Sequence, residues 1–204
     1  MPAMRFLATT YAALPLSILL LAPALTAVAQ EKDVIVEQPD ASLSPKQQLD
    51  RLYADLKRER DPDTASTIAS QIRSAWNDSG SATVNLLMQW ANKAIEEKRT
   101  AAAFDFLDQA IVLKPDYAES WNRRATLNYA NGSYRKSMAD IERVLELEPR
   151  HFGALSGMAA ILGDSGDDQL ALKAWERFLD IYPANRSAQE QVNTLSEKLA
   201  GSRT

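Results

Sequence analysis

From Pro45 onward, apolar residues recur at intervals of three and four, the spacing that gathers them on one face of a helix. Leu49, Leu52, Tyr53 and Leu56 form one such stripe after Ser44-Pro45. Ala65, Ile68, Ala69, Ile72 and Trp76 form another after Asp61-Pro62. Serine or aspartate before proline is a helix start: the side-chain oxygen caps free N–H groups, and the first turn does not need the donor that proline lacks. The two stripes predict a helical hairpin over 45–80. A last stripe of Ala188, Val192, Leu195 and Leu199, with Arg186, Glu190, Asn193 and Glu197 on the other faces, predicts an amphipathic helix over 186–200.

Between these ends the pattern repeats. Pro115, Pro149 and Pro183 stand 34 residues apart, and each closes a similar helix end: IVLKPD at 111–116, LELEPR at 145–150 and LDIYPA at 179–184. Upstream of each, two helical segments meet at a turn, and two of those turns carry Gly132-Ser133-Tyr134 and Gly166-Asp167-Asp168. Glycine there can take the left-handed conformation that ends a first helix, and the prolines stop the second. Ala91, Ala125 and Ala159 are small enough to let paired helices approach closely, while larger apolar neighbours fill the space between pairs. No such pair buries its apolar face alone, so stacking on the next one supplies the stability. Trp90, Trp121 and Trp175 are accordingly expected in the core.

In these features the chain resembles the tetratricopeptide-repeat family. The segment 118–151 matches best, through Trp121, Ala125, Gly132, Tyr134 and Pro149. In 152–185 the matching residues are Leu155, Ala159, Gly166, Ala171, Trp175 and Pro183, and in 84–117 they are Leu87, Ala91, Ala103, Leu107, Ala110 and Pro115. The resemblance covers about half the chain. It implies an all-α fold, a right-handed superhelical stack of helix-turn-helix hairpins with repeats at 84–117, 118–151 and 152–185. The hairpin at 45–80 and the helix at 186–200 are expected to cap its two ends, the latter covering Phe178. Some positions depart from the family pattern. Lys98 stands where the first repeat should have its turn glycine, and Ser137 replaces a usual alanine. Val144 and Phe178 fill a normally small position, which should spread the stack or change its curvature.

The amino terminus has a different character. A short basic start ending at Arg5 precedes an uncharged run to Gln30 that is densely apolar from Leu14 to Leu25. It ends in Ala27-Val28-Ala29, followed by Glu31, Lys32 and Asp33. This is the three-part layout of a secretory signal peptide over 1–29, with cleavage expected after Ala29 and a periplasmic or secreted product. About 20 apolar residues can also span a bilayer, so an uncleaved inner-membrane anchor is the alternative, although Pro15 and Pro23 shorten the helix. Residues 30–44, with Pro39 and Asp40 and no helical period, are expected to be a flexible spacer.

Charge and chemistry narrow the function. A net charge of −4 gives no broad attraction for nucleic acid or anionic lipid, so no nucleic-acid partner is expected, and a membrane only if the leader is retained. The basic pairs Arg123-Arg124 and Arg135-Lys136 have Glu119, Asp140 and Glu142 nearby and are expected on solvated faces. The absence of cysteine excludes disulfides and thiolate chemistry. The single histidine, His151, follows Arg150 between two repeats and is expected at the surface or at a helix start. It offers no basis for a zinc site or a catalytic triad, and no phosphate-binding glycine loop occurs. No catalytic residue, metal or cofactor is therefore expected, and the chain is not expected to be an enzyme.

The resemblance further implies a concave groove lined by the first helix of each hairpin. That places Asn85, Met88, Asn92 and Ile95 there from the first repeat, and Glu119, Asn122, Thr126 and Tyr129 from the second. The third contributes only Gly153, Ser156, Ala160 and Gly163, which leave room for a bulky side chain or a partner helix. Asn92 and Asn122 can hydrogen-bond a peptide backbone, Arg123 can pair with a carboxylate, and Tyr129 adds an amphipathic contact. The candidate partner-binding residues are Asn92, Glu119, Asn122, Arg123, Thr126 and Tyr129. The implied function is a non-catalytic adaptor of the bacterial cell envelope that binds a protein or peptide. The alternatives are a membrane-anchored structural protein and a small-ligand-binding accessory subunit of an envelope enzyme.

Overall fold

The computed structural model describes residues 43–201, all within one compact unit. The expected leader, and all but the last two residues of the expected spacer, lie outside the described residues. Those described form nine α-helices: α1 (Pro45–Arg58), α2 (Pro62–Trp76), α3 (Ala82–Glu96), α4 (Thr100–Leu113), α5 (Ala118–Ala130), α6 (Tyr134–Leu147), α7 (Phe152–Asp164), α8 (Asp168–Ile181) and α9 (Arg186–Gly201). The start signals act as caps. Ser44 Oγ accepts from the Gln47 N–H while the Gln47 side chain accepts from the Ser44 N–H, and Asp61 accepts from the Thr64 N–H.

Consecutive helices pair as α3/α4, α5/α6 and α7/α8. Ala91, Ala125 and Ala159 are fully buried between the pairs. Gly132 and Gly166 take φ of 69° and 80° at the turns within the second and third pairs, and Lys98 takes φ of 58° at the turn within the first. A lysine in this region crowds its Cβ against the following carbonyl, at a cost of about 1 kcal/mol. Ser137 keeps the close approach expected of alanine because its buried hydroxyl donates to the Ala125 carbonyl at 2.7 Å. At the carboxyl-terminal end, α9 buries Ala188 in one cluster with Phe178 and turns its charged residues to solvent.

Two expectations about packing fail. The α1–α2 hairpin does not cap the first repeat: Tyr53, Leu56, Ala65, Ala69 and Ile72 share a core with Phe152, Leu155, Phe178 and Tyr182, and α1 lies against α8. The physical reason is the aromatic surplus of the third helix pair. Phe152, Phe178 and Tyr182 form a cluster of rings with centroids about 6 Å apart, which offers α1 and α2 a large apolar surface. Charge adds to it, since Arg150 pairs with Asp50 at 2.8 Å and lies 4.0 Å over the Tyr53 ring. Trp90 is likewise not a core residue: it is 45% exposed and touches Phe106. Trp121 and Trp175 are half-buried, the first beneath Arg124 and the second against Phe178.

Candidate functional site

His151 organises the junction of α2, α5 and α7. It is the N-cap of α7, and its Nδ1 accepts from the Ala154 N–H at 3.0 Å. With Nδ1 acting as an acceptor, the ring proton is assigned to Nε2, which faces Glu119 Oε2 at 3.3 Å. The sequence placed this histidine at a helix start or at the surface; it does start a helix, but it is 1% exposed. Its ring stacks on Trp76 at 3.8 Å, and the Trp76 carbonyl accepts from Tyr117 Oη at 2.8 Å. Gly153 follows for a packing reason: a Cβ there would meet the imidazole at 3.2 Å.

Glu119 is buried and accepts three hydrogen bonds, from His151, from Arg123 Nε at 2.7 Å and from Asn122 Nδ2 at 3.0 Å. Burial alone pushes this carboxyl up; the bonds from His151 and Arg123 outweigh burial and hold it below its ordinary value. The same arginine reaches two further elements, donating to Asn92 on α3 and, at 2.9 Å, to Asn77 Oδ1 at the end of α2. One guanidinium thus joins α2, α3 and α5. Burial pushes the neighbouring Tyr117 phenol well above its usual range, so it stays a hydrogen-bond donor.

Above this network opens a cleft of about 420 Å³. Arg73, Trp76 and Asn77 form one wall, Asn122 and Arg123 another, and Gly153 and Ser156 the floor beside Trp175 and Tyr182. Aromatic faces, side-chain amides and two arginines therefore border one opening. Such an arrangement holds an apolar side chain while satisfying a nearby peptide backbone or carboxylate.

A TPR repeat-containing protein of Rhizobium etli is 72% identical over 204 residues, the full length of both chains. The chain belongs to the tetratricopeptide-repeat (TPR) family. No protein-family model matches it. The small glutamine-rich tetratricopeptide repeat-containing protein 2 of Mycosarcoma maydis is 25% identical over 111 residues, covering 54% of this chain and 32% of that one. Among solved structures, the first TPR of Spaghetti (RPAP3) bound to an HSP90 peptide superimposes with a TM-score of 0.55 at 21% identity, over 60% of this chain and 96% of that one. The Sgt2 TPR domain of Aspergillus fumigatus gives the same score and identity over 60% and 83%. At these identities the likeness concerns the fold, an all-helical TPR stack.

In this TPR chain the candidate residues separate into two groups. Glu119, Asn122 and Arg123 line the cleft, Glu119 almost fully buried, and Asn92 joins them through Arg123. Thr126 and Tyr129 do not line it. Thr126 is exposed and donates to the Asn122 carbonyl, while Tyr129 donates to Asp164 at 2.8 Å and stacks on Tyr134. The pair Arg123-Arg124 is not on a solvated face: Arg124 makes two bonds to buried Asp140 and one to Asp108. Arg73, Trp76 and Asn77 were missed. Their only signal was the apolar stripe ending at Trp76, which marks a buried face but not what it meets.

Proposed function

We propose that this chain is a non-catalytic interaction module that holds a segment of a partner protein in the cleft between α2 and the second and third helix pairs. One observation carries the reading: Asn122, Arg123, Gly153 and Ser156, all on first helices, converge on a single opening with Trp76 and Trp175. The neighbouring TPR of Spaghetti was solved with a peptide of HSP90, which supports a peptide-binding use of such a stack. Here the bound segment contributes an apolar or aromatic side chain to the ring-lined part and a carboxylate or backbone carbonyls to Arg73, Arg123 and Asn122. Residues 84–117, 118–151 and 152–185 serve as the three repeats, with 186–200 as cap. The leader over 1–29 directs the protein to the cell envelope and is removed after Ala29, and 30–44 is a spacer from which the folded part works.

The test is photocrosslinking in living cells from probes at Ser156 and at Asn122, with Glu197 on α9 as control. The reading predicts that one envelope protein is trapped at both cleft positions and not at Glu197. Absence of an adduct at either position in a folded, exported protein would refute the cleft. The same preparation reports the leader: an amino-terminal mass starting at Gln30 supports release, whereas Met1 supports an anchor.

A further inference from the structure

The charged side chains that line the cleft are Arg73, Glu119 and Arg123, and two of them answer each other. Arg123 Nε meets Glu119 at 2.7 Å, and the rest of that guanidinium is engaged by Asn92 and Asn77. Arg73 differs. It is exposed, donates to Ser70 Oγ of its own helix at 2.8 Å and lies 5.9 Å over the Phe152 ring. Among the described residues no carboxylate pairs with it. Arginine carries five N–H donors, so most of the Arg73 fork is left for a ligand, and its charge is the one the cleft does not balance.

Three asparagines of the lining are each held at one end of the amide. Asn77 Oδ1 accepts from Arg123, Asn122 Nδ2 donates to Glu119, and Asn185 Oδ1 accepts from the Ala188 N–H. Nδ2 of Asn77, Oδ1 of Asn122 and Nδ2 of Asn185 have no partner among the described residues, so the fold presents two donors and an acceptor in fixed orientation. They come from the end of α2, from α5 and from the start of α9, which suits a peptide backbone that crosses the cleft.

We propose that Arg73 selects the segment the cleft binds, a step that rests on the cleft reading above. The occupant is an internal acidic-apolar stretch, with the carboxylate of an aspartate or glutamate on Arg73 and a large apolar side chain against Trp76 and Trp175. Arg123, already answered by Glu119, holds α2, α3 and α5 together and does not read the ligand's charge. Arg73 and Trp76 are one turn apart on α2, about 5–6 Å between neighbouring side chains. In an extended peptide, alternate residues face the same side about 7 Å apart, so the acid and the apolar residue are separated by one position.

The experiment titrates the purified protein with the acetylated, amidated peptide Phe-Ser-Glu-Ser-Phe and with versions carrying Gln or Lys for Glu. Binding is read from the indole N–H signals of Trp76 and Trp175 by NMR, with circular dichroism to verify folding. The glutamate peptide is expected to bind about three-fold tighter than the glutamine peptide, an advantage that shrinks at about 0.5 M salt. A glutamine peptide with a free terminal carboxylate should not match it. Arg73→Gln should abolish the preference, and Arg73→Glu should invert it toward lysine. Lys136→Gln, at an exposed lysine of α6 outside the cleft, should leave the preference in place. Indole shifts with equal affinity for the three peptides, or a preference that survives Arg73→Gln, would overturn the role of Arg73 and leave the cleft standing. If no peptide moves either indole, the cleft itself fails, and the proposal with it.

Discussion

Replacing Trp76 by alanine removes the side chain that seats the amino-terminal hairpin on the repeats. The indole stacks on His151 at 3.8 Å, meets Phe152 at 4.6 Å and belongs to the core that joins α1 and α2 to α7 and α8. Truncating a fully buried tryptophan costs about 3–5 kcal/mol. One feature lowers that figure: Trp76 is only half-buried. A loss of about 2–3 kcal/mol is expected, a large share of the ~5–15 kcal/mol that holds a domain together. Urea unfolding gives the magnitude and hydrogen exchange gives its location. Amides of α1 and α2 should lose protection well before those of α5 and α6, whose core with Ala125, Ile141 and Val144 does not include the hairpin. A loss below about 0.5 kcal/mol with exchange of 45–76 unchanged would refute the reasoning, because surface substitutions stay within that range.

Three further outcomes follow from the same geometry. Lys98→Gly should stabilise the protein by about 1 kcal/mol in chemical denaturation, since glycine takes the observed φ of 58° without strain; a loss would show that the lysine side chain matters more than its backbone. Arg124→Ala should cost about 2–3 kcal/mol by the same measurement, because Asp140 stays buried with only Asn128 to answer it, a penalty moderated by the partial exposure of Arg124. Glu119 is held below its ordinary value of 4.5 when folded, so its contribution is present above that pH and is lost as pH falls further, through the folded value. Glu119→Gln should flatten the acid limb of a stability-versus-pH curve, and an unchanged limb would remove Glu119 from the account.

The repeat was legible because it is written locally. Proline stops, turn glycines and small residues at one register each have a backbone or packing cause that needs no distant partner. The placement of α1 and α2 was not legible, for the opposite reason. An apolar stripe specifies which face is buried and leaves open which surface buries it. That choice rested on contacts distant in sequence, Tyr117 with Trp76, Arg123 with Asn77 and Arg150 with Asp50. The site divides along the same line. Asn122 and Arg123 follow from the repeat register, whereas Arg73 and Trp76 come from a hairpin outside it. Glu119 shows both effects: the register gives its helix face, and the approach of His151 and Arg123 turns that face into buried structure. Lys98 was visible as a departure from the pattern, but only the backbone shows that it adopts the glycine conformation.

The central claim is that the α1–α2 hairpin folds back onto the repeats and completes the cleft. The chain has one histidine, so its imidazole protons can be assigned by proton NMR without ambiguity. The account predicts cross-relaxation between the His151 ring and the indole of Trp76, an upfield ring-current shift of the imidazole protons, and loss of both in Trp76→Ala. A His151 ring with the shifts of an exposed imidazole and no contact to any indole, in the folded wild-type protein, would contradict the docked hairpin and the cleft built on it.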